Sequence, residues 1–183
     1  MGKIIERRQF IQSTLATTPL SAMSQVVDAQ GGAASAVVVA SGADRFKQVR
    51  NVGPNALSFK VSTQDTGGRL FILEATNASK GGPPRHLHYE QEEWFHVLEG
   101  EYLFEVGAER TRLKAGDSLL APRMVPHVWA HVGDKAGRVL MVFQPAGKME
   151  LYFELVAKKP ELQQDAGVLT DYGMRLIGPP LSV

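Results

Sequence analysis

A chain of 183 residues that is 44% hydrophobic and 21% charged carries enough apolar side chains to bury the core of one domain. Its formal net charge of +1 offers nothing to attract nucleic acid or an anionic membrane surface. The absence of cysteine excludes disulfides, thiol catalysis, cysteine-based zinc sites and a lipoprotein anchor.

Residues 1–29 read as a targeting segment. Glu6-Arg7-Arg8-Gln9-Phe10-Ile11-Gln12 is similar to a twin-arginine export signal, and a weakly apolar stretch from Phe10 to Met23 follows it directly. That stretch is too short and too polar for a stable membrane anchor. Ala22-Met23-Ser24 and Val27-Asp28-Ala29 offer cleavage points. The expectation is export through the twin-arginine translocase, to the periplasm or beyond. A short amphipathic helix in a cytoplasmic protein is the other reading. Residues 30–45 are small and flexible and read as a linker, with an apolar patch at Val37-Val38-Val39 able to form an edge strand. Without residues 1–30 the chain loses three positive and two negative charges, leaving 17 against 17. A neutral chain is compatible with self-association.

From Leu57 onward the pattern is of short strands separated by turn residues. The expected strands are 57–62, 69–76, 85–89, 93–99, 102–106, 110–113, 118–121, 127–131 and 139–143. The turns between them include Thr66-Gly67-Gly68, Gly81-Gly82-Pro83-Pro84, Ala115-Gly116-Asp117 and Gly133-Asp134-Lys135. Glu99-Gly100-Glu101 reads as a hairpin turn. No helical period interrupts the run, which predicts an all-β barrel or sandwich. Met149–Val156 then suits a helix with one apolar face. Pro160 can open a second helix ending near Tyr172, with Gly173 as its stop. Arg175-Leu176-Ile177 reads as extended.

All five histidines fall between Gly81 and His131. His86 and His88 are two apart, so a strand puts both on one face. Glu93 can open the next strand facing inward, and His127 begins a later one after Pro122 and Pro126. Three imidazoles and a carboxylate on converging strands make a divalent-metal site, and Fe, Mn, Ni, Co, Cu or Zn all suit that donor set. A solvated strand face is the alternative for the His-x-His pair taken alone.

These residues resemble the two motifs of the cupin superfamily. His86, His88, Glu93 and Gly100 match the first, and Gly116, Pro122 and His127 match the second. Lys80 stands one place before Gly81, where the first motif opens on glycine. Met124 replaces a glycine of the second motif, and His131 replaces its asparagine. The resemblance implies a double-stranded β-helix, a jelly-roll barrel over about 46–146, with a helical extension over 147–183. It also implies one divalent transition metal held by His86, His88, Glu93 and His127, and a homodimer. The tail, ending in Tyr172-Gly173-Met174-Arg175-Leu176-Ile177-Gly178-Pro179-Pro180, is similar to that of bacterial quercetin-dioxygenase-like cupins.

Alternation along the strands turns Phe95 and Val97 inward with Glu93, and Trp94, His96 and Leu98 outward. Trp129 and His131 turn inward with His127. Phe95, Val97, Trp129, His131 and Met141 are therefore candidates for a substrate pocket, and Phe143 is a further candidate for its lining, with barrel core as the alternative for the apolar ones. His131 reads as pocket wall or support for the ligands, or else as a fifth ligand. The resemblance implies a metal-dependent dioxygenase for a small hydroxylated, flavonol-like substrate, with Glu93 as ligand or general base. A non-catalytic periplasmic cupin that binds a metal or small ligand is the alternative, and a sugar-type isomerase or epimerase is the third reading.

Overall fold

Among the described residues, eleven strands form two antiparallel sheets. The computed structural model describes residues 36–183, so the expected export segment lies outside the described residues. In chain order the strands are β1 (Arg50–Val52), β2 (Asn55–Val61), β3 (Phe71–Asn77), β4 (Arg85–His88), β5 (Glu92–Glu99), β6 (Glu101–Val106), β7 (Glu109–Lys114), β8 (Ser118–Ala121), β9 (His127–His131), β10 (Gly137–Gln144) and β11 (Met174–Gly178). Helices α1 (Met149–Lys158) and α2 (Ala166–Asp171) lie between β10 and β11.

One sheet runs β1-β2-β3-β10-β5-β8 and the other β11-β4-β9-β6-β7. After β3 the chain passes repeatedly from sheet to sheet, which is the jelly-roll form of a double-stranded β-helix. Strict alternation in β5 and β10 follows from this. Phe95, Val97, Val139, Met141 and Phe143 are buried between the sheets, while Trp94, His96, Leu140 and Val142 face outward and are only partly covered. Aromatic rings fill the core. Phe59 meets Phe71 edge-on at 4.9 Å, and Phe95 meets Phe104 in the same way at 4.9 Å.

Glu99-Gly100-Glu101 is a crossing rather than a hairpin, because β5 and β6 belong to different sheets. Gly100 has φ +84°, and a Cβ there would lie 2.8 Å from the Cα of Gly137. A close approach of backbones at this corner is what requires glycine. Alternating hydrophobicity reports the face of a strand but not its partner, so a tight turn between two strands reads as a hairpin either way.

The C-terminal extension completes the barrel. Met149, Tyr152 and Val156 on α1 are buried, the spacing of one helical stripe. The expected second helix is broken. Pro160–Gln164 forms a 3₁₀ turn, and Asp165 then caps α2 by accepting from the backbone N–H of Val168. The extended segment after Gly173 becomes β11, which pairs with β4 and places Met174 opposite His88. Among the described residues no helix is long and apolar enough to cross a membrane.

A buried ion pair anchors the start of the barrel. The guanidinium of Arg50 donates to Asp44 at 2.6 Å and to Glu154 of α1 at 2.7 Å, and lies 3.9 Å from the Phe59 ring centre. Asp44 also accepts from the backbone N–H of Phe46, Gln48 and Phe59. Burial works against its charge, but these donors and Arg50 outweigh it and hold the carboxyl below its ordinary value. The expected linker thus contributes a structural residue, two positions before Phe46. Asp44→Ala leaves the Arg50 charge without one of its two carboxylates. It is expected to cost about 3 kcal/mol, read as a lower midpoint in urea unfolding. Arg45→Ala, at a more exposed pair with Asp65, should leave that midpoint nearly unchanged.

Candidate metal centre

Opposite sheets supply the four candidate ligands. His86 and His88 come from β4, and His127 begins the adjacent β9, where it pairs in register with His86. Glu93 faces them from β5 across the barrel. All four are buried, and one donor atom from each lies within 4.8 Å of every other.

Second partners aim the rings. Nδ1 of His86 lies 2.8 Å from the carbonyl oxygen of Pro84, and Nδ1 of His127 lies 3.1 Å from that of Val125. A proton on each Nδ1 donates to those carbonyls and leaves Nε2 as the free donor atom toward the cluster. Glu93 Oε2 lies 3.1 Å from Nε2 of His88 and 3.0 Å from Nε2 of His127. Two donors about 2.1 Å from one ion and at right angles to each other stand about 3 Å apart, so these separations are those of neighbouring ligands.

Proton counting leads to the same place. His127 faces an acceptor at both ring nitrogens, Val125 and Glu93. A neutral imidazole has one N–H and satisfies only one of them. A cation between Nε2 and Oε2 satisfies the other. Burial, with His127 and His88 beside it, pushes His86 down to about 3, which keeps its ring neutral at neutral pH. Burial opposes the Glu93 charge, but its contacts with His127 and His88 prevail and hold its carboxyl well below the usual carboxylate range. A neutral His86 ring beside an ionised Glu93 is the pairing a divalent ion requires of those two ligands.

The turn that delivers His127 is built without the expected glycine. Met124 adopts φ +63°, the left-handed conformation that favours glycine, and its N–H donates to the His88 carbonyl at 2.8 Å. Its side chain is exposed. The backbone bond ties the turn before His127 directly to the strand carrying His86 and His88.

A narrow cavity of about 80 Å³ opens off the cluster and touches His86, His88 and Glu93. Trp129 and Met141 line it, as their inward positions predict. Phe95, Val97 and His131 face inward too but are absent from its wall. Phe95 and Val97 pack in the core. His131 sits beside Tyr102, with ring centres 5.2 Å apart, and its Nδ1 contacts the carbonyl of Ser79. It is not part of the four-residue cluster. The crowding is tight there, since a Cβ on Gly137 would lie 2.6 Å from the His131 ring. His96 is outward, stacked on Trp94, with Nδ1 2.9 Å from Ser118 Oγ.

Several walls come from residues the strand pattern does not single out. Asn55 and Asn77 contribute carboxamides from β2 and β3. Met149, Tyr152 and Phe153 of α1 and Leu169 of α2 close the opposite side. The apolar stripe of α1 signals a packed face, but nothing local says what it packs against.

Residues 74–143, from within β3 to within β10, match the family model of the cupin domain. This part of the chain is similar to the cupin domain. Among curated proteins, an uncharacterized protein of Methanocaldococcus jannaschii is 32% identical over 60 residues, 33% of this chain and 48% of that protein. The chain thus spans about half the length of that relative. Among solved structures, KdgF from Halomonas sp. is similar with a TM-score of 0.46 and 21% identity over 54% of this chain and 86% of its own. The cupin domain of Schizosaccharomyces pombe Cnp3 gives a TM-score of 0.48 and 13% identity over 54% of this chain and 68% of its own.

Two measurements follow from the site. The full chain is expected to bind about one divalent transition ion, and His86→Ala/His88→Ala or His127→Ala to lose it, as read by elemental analysis after gel filtration. The second concerns the metal-free protein. The folded His86 binds its proton far less readily than the unfolded one, whose ordinary value is 6.5. Its contribution is therefore complete above about 6.5 and is lost as pH falls toward about 3. Urea midpoints of the metal-free protein should decline across that window, and His86→Gln should flatten the decline.

Proposed function

We propose that this cupin is a metal-dependent oxygenase, a dioxygenase acting on a small hydroxylated substrate, in the manner of quercetin-dioxygenase-like cupins. The observation that carries the reading is the position of the cluster, with three imidazoles and one carboxylate at the edge of a largely apolar cavity. His86, His88, His127 and Glu93 would hold the ion, which when bound supplies a Lewis-acid centre for a substrate hydroxyl and for oxygen chemistry. Met141, Trp129 and Phe143 would orient the apolar body of the substrate and exclude water.

Glu93 has the second role. Oε2 is engaged by His88 and His127, so proton transfer from the substrate hydroxyl falls to Oε1. Its lowered pKa makes it a weak base while both imidazole contacts hold, and loosening one of them strengthens it. Tyr152 lines the same cavity, and burial together with the Glu93 charge raises its pKa, so it serves as a neutral phenol.

A non-catalytic binding cupin is the second reading, favoured by the covering of the cavity. Tyr152, Phe153 and Leu169 wall it from the side of the helical extension, and a substrate of flavonol size requires α1 and α2 to withdraw. Export through the twin-arginine route is also proposed, on Arg7-Arg8-Gln9-Phe10-Ile11, and cell fractionation of the full chain tests it. Metal-loaded protein should consume oxygen when given flavonols or catechols, and Glu93→Gln should lower that rate by about a hundredfold or more. Tight binding of such compounds without oxygen uptake, with every first-row ion, would replace the oxygenase with the binding protein.

A further inference from the structure

Besides Tyr152 and Gln163 of the helical extension, the barrel side of the cavity wall is polar at two separated places. One is the cluster at His86, His88 and Glu93. The other is a pair of carboxamides, Asn55 and Asn77, which sit opposite each other in the β2–β3 ladder and both line the cavity. The strand register sets the separation of their backbones. Glu93 pairs with Phe143, Phe143 pairs with Phe71, and Asn77 lies six residues further along the same strand as Phe71. Six residues of strand span about 20 Å. Leu57, Ala75, Met141 and Trp129 line the cavity between the two ends.

The two ends differ in what they ask of a ligand. The cluster offers a coordination site. Asn77 is occupied, because its Oδ1 accepts from the Tyr102 hydroxyl at 2.7 Å. Asn55 is not, because its Oδ1 is buried with no partner in the protein. A buried acceptor left unmatched is unfavourable, so it selects a ligand that brings an O–H or N–H donor. Charge narrows the class further. Among the described residues no Lys or Arg lines the cavity, and Glu93 is the only carboxylate there. An anionic group placed away from the cluster would be desolvated with no cation to receive it.

We propose that the cavity takes a narrow ligand with a metal-coordinating oxygen head, an apolar body, and an uncharged hydrogen-bond donor that reaches Asn55, and that it rejects ligands with a second anionic group. The inference rests on the metal-centre reading and specifies the substrate class for it. Dicarboxylates and acidic sugars are excluded by the uncharged far end. Hydroxylated neutral compounds are admitted by it.

Straight-chain alkyl hydroxamates of graded length test this, because one coordinating head can carry three different tails. Their ends would be methyl, hydroxyl or carboxylate, titrated calorimetrically into the metal-loaded full chain. At the best length the hydroxyl-ended probe should bind up to about tenfold tighter than the methyl-ended one. The carboxylate-ended probe should bind about a hundredfold more weakly or worse. Asn55→Ala and the closer-sized Asn55→Leu should each abolish the advantage of the hydroxyl and leave the methyl-ended probe within about twofold. Probes that bind equally whatever their tails, or a hydroxyl advantage that survives both variants, would overturn this inference alone. Probes that bind no better to metal-loaded than to metal-free protein would overturn the metal-centre reading and this inference with it.

Discussion

The structure turns on one buried carboxylate. Glu93 faces into the barrel from one sheet, and the imidazoles that contact it come from the other. Removing a carboxylate from water is costly, and neutral imidazoles return only part of that cost. The arrangement holds because the two sheets are locked together elsewhere. Aromatic packing between Phe59, Phe71, Phe95 and Phe104 fills the interior. Tight backbone approach at Gly100 and Gly137 fixes the corner, and β11 closes against the strand bearing the histidines. A divalent ion held by the four side chains would offset the carboxylate charge and join the sheets at the same point.

The helical extension connects this centre to its surroundings. α1 is tied to the start of the barrel by the Arg50–Glu154 contact, and its buried face supplies Met149 and Tyr152 to the cavity. Met174, at the start of β11, is opposite His88 in the ladder and lines the cavity as well. The tail therefore lines the cavity and is not only a brace.

Sequence spacing carried much of this site and stopped at a definite boundary. His86 and His88 share a face because strands alternate, and Glu93 and His127 have the parity that brings them inward. That parity holds in the burial of β5 and β10 throughout. Depth is a different property. Phe95, Val97 and His131 face inward as surely as Trp129 and Met141 do, yet they pack in the core while the latter two reach the cavity. Nothing periodic separates the two groups. Strand partnership is equally hidden, which is why Gly100 reads as a hairpin turn and proves to be a crossing. Asn55, Asn77 and Tyr152 join the wall through contacts distant in sequence. β1 is only three residues long, with an exposed Asn51 between two buried neighbours, and gives too short a pattern to read.

The central claim is that the four side chains act together as ligands of one ion. X-ray absorption at the metal edge of the loaded full chain tests that most directly, with Glu93→Gln measured beside it. The account predicts a first shell of nitrogen and oxygen near about 2.1 Å, with outer-shell scattering from three imidazoles, and a shell altered in its oxygen component by the substitution. A shell without imidazole scattering, identical in the two proteins, would contradict it and return the histidines to a structural role.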